Sequence, residues 1–495
     1  MRMGTAPARW VLLATVLGSS LAMLDATVVN VALPRLGADL DADFGDLQWV
    51  VNAYTLTLAA FILLGGSLGD HYGRRRVFVI GVAWFAVASA LCGLAPTVEL
   101  LAVGRALQGV GGALLTPGSL AIIAAAFDSE DRSRAVGAWS ALGGVAGAIG
   151  PFAGGWLVEW NWRTVFLVNL PLAAVVIAVT VRHVPESRDE SAPSRIDLPG
   201  SALAAAGLGL LTYGLIAAGD QGLTATVSLT VAVGVLLLAG FVLVQRRSSH
   251  PLVPLDLFAD RVFTTINLIT FVVYAAFGVF FFLLVLDLQI VAGFSPLAAG
   301  TAVLPVTLLM LLLSARAGAL ADKVGARLLL TVGLLVSTAG VLLTRRIGPG
   351  ASYVSDVLPS VLVFGFGLSL LVAPLTATVL ASAGPGHAGV ASGVNNAVAR
   401  VGGLLAVAVV PVLAGLGGMN YADVERFAAG FETAMVICSG LLVVGAALAV
   451  VLLRAPAPVP PSVRADDQTV DVAKCVHCGV TGPQLHPRVS ASQRA

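Results

Sequence analysis

Charge is what this chain has least of. Only 11% of its 495 residues are charged, against about 25% in soluble globular chains. A chain this long cannot enclose one large water-soluble core with so little charge. The 28 Lys and Arg nearly cancel the 27 Asp and Glu, for a net charge of +1. That excludes the basic footprint of a nucleic-acid binder. Histidine is scarce at six residues and cysteine at four. No H-E-x-x-H or comparable cluster of nucleophile, base and metal ligands is present, so the chain does not read as an enzyme. No G-x-x-x-x-G-K-[ST] loop is present to cradle a nucleotide, and no disulfide framework is implied. Cys92 and Cys438 lie in apolar runs and read as inert core thiols. Cys475, His477 and Cys478 form a lone C-x-x-C near the end of the chain. Without a second pair they are not taken as a zinc site, and no metal or other cofactor is expected.

What the sequence does have is apolar length. Hydrophobic residues make up 58%, and glycine, at 55 residues, suits close helix packing. A bilayer core needs about 20 apolar residues per helix. On that measure fourteen spans are expected, near 10–33, 47–68, 77–96, 100–127, 135–158, 163–181, 199–218 and 224–244, then 263–290, 297–320, 328–344, 356–382, 390–416 and 430–453. The first is too long for a secretory signal and reads as a retained span.

Loop charges set the orientation. With the N-terminus in the cytoplasm, the inner segments hold Arg74, Arg75, Arg76, Arg132, Arg134, Arg182, Arg246, Arg247, Lys323, Arg327 and Arg400 among others. The outer ones hold only Arg35, Arg163, Arg345, Arg346 and Arg426. Both termini are therefore expected on the cytoplasmic side of a cell membrane that the chain crosses many times. The stretch from Arg182 to Gly200 is polar and reads as a cytoplasmic linker. The Pro-rich tail after Arg454 reads as disordered.

An internal repeat organises the spans. GGSLGDHYGRRR, after the second span, is echoed by RAGALADKVGAR after the tenth. Gly66, Leu68, Asp70, Gly73 and Arg75 match Gly318, Leu320, Asp322, Gly325 and Arg327 at one constant offset, which also pairs Gly137 with Gly389, Ser140 with Ser392 and Gly150 with Gly402. Repeated halves are the habit of secondary transporters. The copies lie eight spans apart, so two spans are inserted between six-helix halves. The expected division is 1–181 for the first half, 182–262 for the linker and inserted spans, 263–453 for the second half and 454–495 for the tail.

The loop GGSLGDHYGRRR resembles the cytoplasmic signature of the major facilitator superfamily. LDATVVNVALP at 24–34, GRALQGVGGAL at 104–114, GAIGPFAGG at 147–155 and NWRTVFLVNLP at 161–171 resemble further signatures of its fourteen-helix drug:proton antiporter branch. The resemblance runs to about Arg454. It implies an all-α membrane fold of two six-helix halves plus two inserted helices. It also implies that the loop motif (Gly66, Gly69, Asp70, Gly73, Arg74 and Arg75, with Asp322, Gly325 and Arg327 in the second copy) is a conformational latch that stabilises the outward-facing state. Ala326 stands where Arg74 does, so the second latch is expected to be weaker. Gly147, Gly150, Pro151, Gly154 and Gly155 match the motif that accompanies antiport rather than symport. Gly403 stands at the position equivalent to Pro151, so the second half lacks that proline.

Asp25 bears on energy coupling. It lies about 12 Å from the outer end of the first span at the helical rise, and Arg105 about 8 Å into the fourth. A charge in mid-bilayer costs roughly 2.5–3.5 kcal/mol on insertion scales, so such residues find partners or face water. The two are expected to meet, directly or through Gln108 or water. A carboxyl group between a guanidinium and an apolar surround can change protonation as a cavity opens to one side or the other. A purely structural ion pair is the competing reading. Asn30, Asn52, Tyr54, Gln108, Asp287 and Asn395 are candidate substrate contacts, each equally a helix-packing residue.

These readings converge on a proton-coupled antiporter that exports amphiphilic small molecules such as drugs, antibiotics or toxic metabolites. Its partners would be that substrate, protons and the lipid bilayer, with no nucleic acid and no obligate protein partner. A dedicated exporter of a native metabolite, lipid or siderophore is the alternative, and a membrane sensor with a transporter-like fold a more distant one.

Overall fold

The computed structural model describes residues 1–189, 196–248, 250–382, 388–418 and 423–453. Among these residues no strand occurs, and thirteen helices are long and apolar enough to cross a membrane. A further helix, α5 (Ser129–Trp160), has crossing length and carries Pro151 in its interior. The linker residues 190–195, including Arg195, and the tail with Cys475, His477 and Cys478 lie outside the described residues.

The first half comprises α1 (Ala6–Leu40), α2 (Phe44–Tyr72), α3 (Arg74–Gly93), α4 (Val98–Ala126), α5, and a sixth span made of α6 (Thr164–Leu167) and α7 (Asn169–His183). The inserted pair is α8 (Leu198–Gln221) and α9 (Ala225–Arg247). The second half comprises α10 (Arg261–Ile290), a span of α11 (Pro296–Ala302) and α12 (Leu304–Val324), then α13 (Ala326–Leu343), α14 (Leu358–Ser382), α15 (Ala388–Leu413) and α16 (Val424–Leu452). Polar caps set several of these ends. The Thr5 hydroxyl accepts from Ala8 N at the start of α1. Asp43 and Asp46 exchange backbone bonds of 2.8 and 3.0 Å in a capping box that starts α2.

The repeat is structural. Gly73 joins α2 to α3 at φ +110°, and Gly325 joins α12 to α13 at φ +90°. Their amides donate to Gly69 O and Ala321 O at 3.0 and 2.8 Å. A side chain at that φ is strained, so glycine fits both turns. Helix partners repeat too: α1 packs on α5 and α3 on α4, as α10 packs on α15 and α13 on α14. The inserted pair packs on itself, and α8 also contacts α2 and α15, one helix from each half.

Lipid-facing stripes are plain on the outside of the bundle. Ile80, Trp84, Val87 and Leu91 recur at helical spacing on α3 and all are exposed. On α9 only Val227, Gly234 and Gln245 are buried.

The end of the bundle that carries the α1–α2 turn is termed outer, following the loop charges. There, one buried apolar cluster joins the halves. Leu33, Leu36, Phe44 and Leu47 of the first half share it with Phe282, Leu286, Leu416 and Phe427 of the second. Towards the inner end the first half has a separate core of its own, around Ala8, Val11, Phe78 and Ile123. The halves are thus sealed together at the outer end.

Two expectations change. Helix α1 runs through Pro34 to Leu40, so Asp25 lies roughly 15 residues, or about 22 Å, from its outer end. The apolar count stopped at Pro34, but a proline late in a helix bends it without ending it. Arg400, counted above with the cytoplasmic loops, is inside α15. It lies roughly 12 residues, or about 18 Å, from that helix's inner end.

Candidate functional site

Five helices converge on the Asp25 carboxylate. Arg105 Nη1 of α4 donates to Asp25 Oδ2 in a buried ion pair. Gln108 Nε2, one helical turn on, donates to Asp25 Oδ1 at 2.7 Å. Asn169 Nδ2 of α7 donates to the same oxygen at 3.0 Å. Both amides also donate to Ser89 Oγ of α3, at 2.8 and 3.3 Å. From α2, Val50 O accepts from Arg105 Nε at 3.0 Å, and the Tyr54 ring lies 4.4 Å from the guanidinium. Asp25 and Gln108 have no exposed surface and Arg105 is 1% exposed. An ion pair so deep loses its hydration, so the extra hydrogen bonds are what make the burial tolerable.

The sequence pointed to Asp25, Arg105 and Gln108. It did not single out Ser89, Asn169 or Phe166. NWRTVFLVNLP was flagged as a motif, and the structure gives its parts distinct contacts. Asn169 holds the carboxylate. Phe166 lies 5.9 Å from the Arg105 guanidinium. Trp162 Nε1 donates to Asp39 Oδ2 at 2.8 Å, tying the α5–α6 turn to the end of α1. Ser89 left no sequence signal, since one serine in an apolar helix has many ordinary uses.

The loop motif is clamped from the side. Asp70 Oδ1 pairs with Arg74 at 2.7 Å. Glu186, just past α7, accepts from Arg75 N at 3.0 Å, and Val184 O accepts from Arg75 Nη1 at 3.1 Å. A Cβ built on Gly73 would lie 2.8 Å from the Glu186 carboxylate. Gly66 and Gly69 are less crowded, with Pro117 Cβ at 3.6 Å and Arg74 Cα at 4.0 Å from built Cβ atoms. In the second copy Asp322 is exposed and forms no ion pair among the described residues, although Gly325 keeps the turn and Arg327 follows it.

The glycines of the α5 motif divide between two neighbours. Gly150 packs on Thr27 of α1, and a Cβ on Gly154 would lie 2.7 Å from Val28 of the same helix. A Cβ on Gly155 would lie 2.6 Å from Leu297 Cα of α11, in the other half, and Gly300 of α11 packs on Pro151 O. Gly147 has nothing within 4 Å. The motif therefore marks where α5 crosses its own half and the opposite half at once.

Other hydrogen bonds cross the seam. Gln48 Nε2 of α2 donates to Val407 O of α15 at 2.5 Å. Gln289 Nε2 of α10 donates to Val31 O of α1 at 3.1 Å. Among the proposed substrate contacts, Asn30 Oδ1 and Asn52 Nδ2 are buried with no hydrogen-bond partner. Asn395 instead donates to Asn267 Oδ1 and Thr270 Oγ1 at 3.1 and 2.9 Å, pairing α15 with α10. Asp287 is 1% exposed, and neither carboxyl oxygen has a partner.

The family model described as Major Facilitator Superfamily matches residues 15–407. The multidrug resistance protein Stp of Mycobacterium tuberculosis is 36% identical over 405 residues, covering 80% of this chain and 74% of that protein. The puromycin resistance protein pur8 of Streptomyces alboniger is 35% identical over 469 residues, covering 91% and 92%. Among solved structures, a bacterial homologue of the human lysosomal transporter Spinster, inward-facing and occupied, superposes with a TM-score of 0.66 at 17% identity, covering 92% of this chain and all of that one. That likeness concerns the fold.

Proposed function

The chain belongs to the major facilitator superfamily of membrane transporters, and from that premise we propose that it is a proton-coupled antiporter exporting amphiphilic small molecules from the cytoplasm. The relatives named for multidrug and puromycin resistance support export of such compounds. The observation that carries the coupling is the buried Asp25–Arg105 pair and its ring of amide donors.

In this reading Asp25 is the proton carrier. Protonation removes its charge and its hold on Arg105. The guanidinium then keeps Val50 O, the Gln108 oxygen at 2.6 Å and the Tyr54 and Phe166 rings. Helices α1 and α4 lose their strongest link, and the half can change its packing. The Gly150–Gly155 stretch is the crossing on which one half rocks against the other. The pairs of Asp70 with Arg74 and of Glu186 with Arg75 and Arg76 hold the inner loop in one arrangement. Asn30 and Asn52 offer unpaired polar atoms to a substrate. Each proton moving down 100 mV supplies about 2.3 kcal/mol, so no nucleotide or metal is required. The protein sits in the cell membrane with both ends in the cytoplasm.

The test is a drug-susceptibility panel in an efflux-deficient host, comparing wild type with Asp25→Asn, followed by transport in vesicles with an imposed pH gradient. Protection and gradient-driven export by wild type, both lost in Asp25→Asn, are expected. Full export by the variant would remove Asp25 from the coupling.

A further inference from the structure

Arg400 is the charge the coupling scheme leaves unused. It lies at mid-depth in α15, a helix whose other residues are all uncharged. A guanidinium there costs roughly 2.5–3.5 kcal/mol on insertion scales unless something offsets it. Arg105, at similar depth, is offset by Asp25. Arg400 has no such partner: among the described residues no carboxylate forms an ion pair with it. Asp25 makes no bond to it: its carboxylate accepts from Arg105, Gln108 and Asn169.

The surroundings of Arg400 place it between the halves rather than against lipid. Its side chain is partly exposed. Nε donates to Asn396 Oδ1 at 3.0 Å, which fixes the plane of the group from the α15 side. Its two terminal nitrogens have no acceptor among the described residues. One heptad to either side of it, α15 meets α2 of the other half: a Cβ built on Gly393 would lie 3.0 Å from Leu63, and Val407 O accepts from Gln48 Nε2 at 2.5 Å. A side chain on the stripe between those two contacts looks across the seam and not into lipid. Helix α2 also carries Tyr54, the ring on Arg105, so Arg400 and the Asp25–Arg105 pair share a neighbouring helix.

We propose that Arg400 is an anion-binding site between the halves, seating a substrate that carries a carboxylate or a similar planar acidic group. The inference rests on the exporter reading for its context and adds the chemical class of the cargo. An arginine held through Nε presents its free terminal nitrogens as a fork, which matches two oxygens of one anion. The partly enclosed setting strengthens that contact relative to water.

The experiment is dye binding to the purified full-length protein by fluorescence anisotropy, with carboxyfluorescein as the anion and ethidium as the cation. Arg400→Gln is expected to weaken carboxyfluorescein on the order of ten- to a hundredfold, the worth of one charged hydrogen bond. Arg400→Lys, which keeps the charge but loses the fork, is expected to weaken it less, and it decides the matter if Arg400→Gln does not purify as a folded protein. Arg346→Gln, at an exposed arginine outside the site, is expected to bind like wild type. Wild-type affinity for carboxyfluorescein in both Arg400 variants overturns the inference, as does a wild type that binds ethidium alone. Gradient-driven export of the same dyes separates the two readings. Arg400-dependent binding without export would leave the anion site standing and remove the exporter. Ethidium export with no carboxyfluorescein binding would do the reverse.

Discussion

The Arg105 guanidinium lies 4.4 Å from the centre of the Tyr54 ring, so the cation that holds Asp25 also rests on an aromatic face of the neighbouring helix. The Tyr54 hydroxyl is occupied elsewhere, donating to Ala22 O of α1 at 3.3 Å. One side chain thus braces α1 and α4 from α2. Removing the ring and removing the hydroxyl should have different effects. A buried cation–π contact is worth about 2 kcal/mol, whereas a long hydrogen bond is worth about 1 kcal/mol at most. Tyr54→Phe is expected to keep gradient-driven export within about fivefold, and Tyr54→Ala to lose more than about tenfold. Initial rates of dye efflux in vesicles measure both.

The Asp25–Arg105 pair should show strong non-additivity in stability. Removing one member leaves the other charge buried alone, at a cost of about 3–5 kcal/mol. Arg105→Gln alone is therefore expected to lower the thermal unfolding midpoint in detergent more than the double variant Asp25→Asn, Arg105→Gln. A double variant less stable than Arg105→Gln would mean that the pair is not what holds these helices.

Within the α5 motif, two glycines should behave oppositely. Gly147→Ala meets open space and gains a little helix propensity, about 1 kcal/mol at most, so export is expected to persist. Gly155→Val places a branched side chain where a Cβ alone would already lie 2.6 Å from Leu297 Cα. The seam between α5 and α11 must then open, and export is expected to be lost. Equal activity in the two variants would deny the crossing its role.

The outer seal depends on Gln48 and Gln289, whose amides reach backbone oxygens across the seam. Hydrogen bonds inside membrane proteins average about 0.6 kcal/mol. Removing both, in Gln48→Ala with Gln289→Ala, should shift the balance between closed and open outer ends by roughly sevenfold if the terms add. The readout is labelling of a cysteine placed at Ala414, within the sealed cluster, by a maleimide that cannot cross the membrane. Labelling is expected to rise by about that factor.

Much of the architecture was legible in the chain because membrane helices are set by local composition. Low charge, fourteen apolar runs and Gly73 repeated at Gly325 foretold the spans and the doubled half, since each depends on residues close in sequence. The ends of helices were harder: Pro34 looked like the end of α1, and the helix continues to Leu40. Arg400 was counted with the inner charges although it falls inside the expected span 390–416. Composition shows that such a charge interrupts an apolar run, but not whether it reaches water, lipid or a neighbouring helix.

The sequence by itself determined that Asp25 and Arg105 needed partners, because an isolated charge in a bilayer is too costly to leave alone. It could not determine who else would gather there. Ser89, Asn169 and Tyr54 come from three further helices, and only their packing brings those helices to one carboxylate. Packing likewise decided that Gly155 meets the opposite half while Gly147 meets nothing, and that Arg400 lies on the α2-facing stripe of α15 with no ion-pair partner among the described residues. Burial and hydrophobic length are written residue by residue, but the choice of neighbour depends on how whole helices cross. That is why the membrane fold could be read along the chain, whereas the surroundings of its two mid-membrane arginines required the tertiary structure.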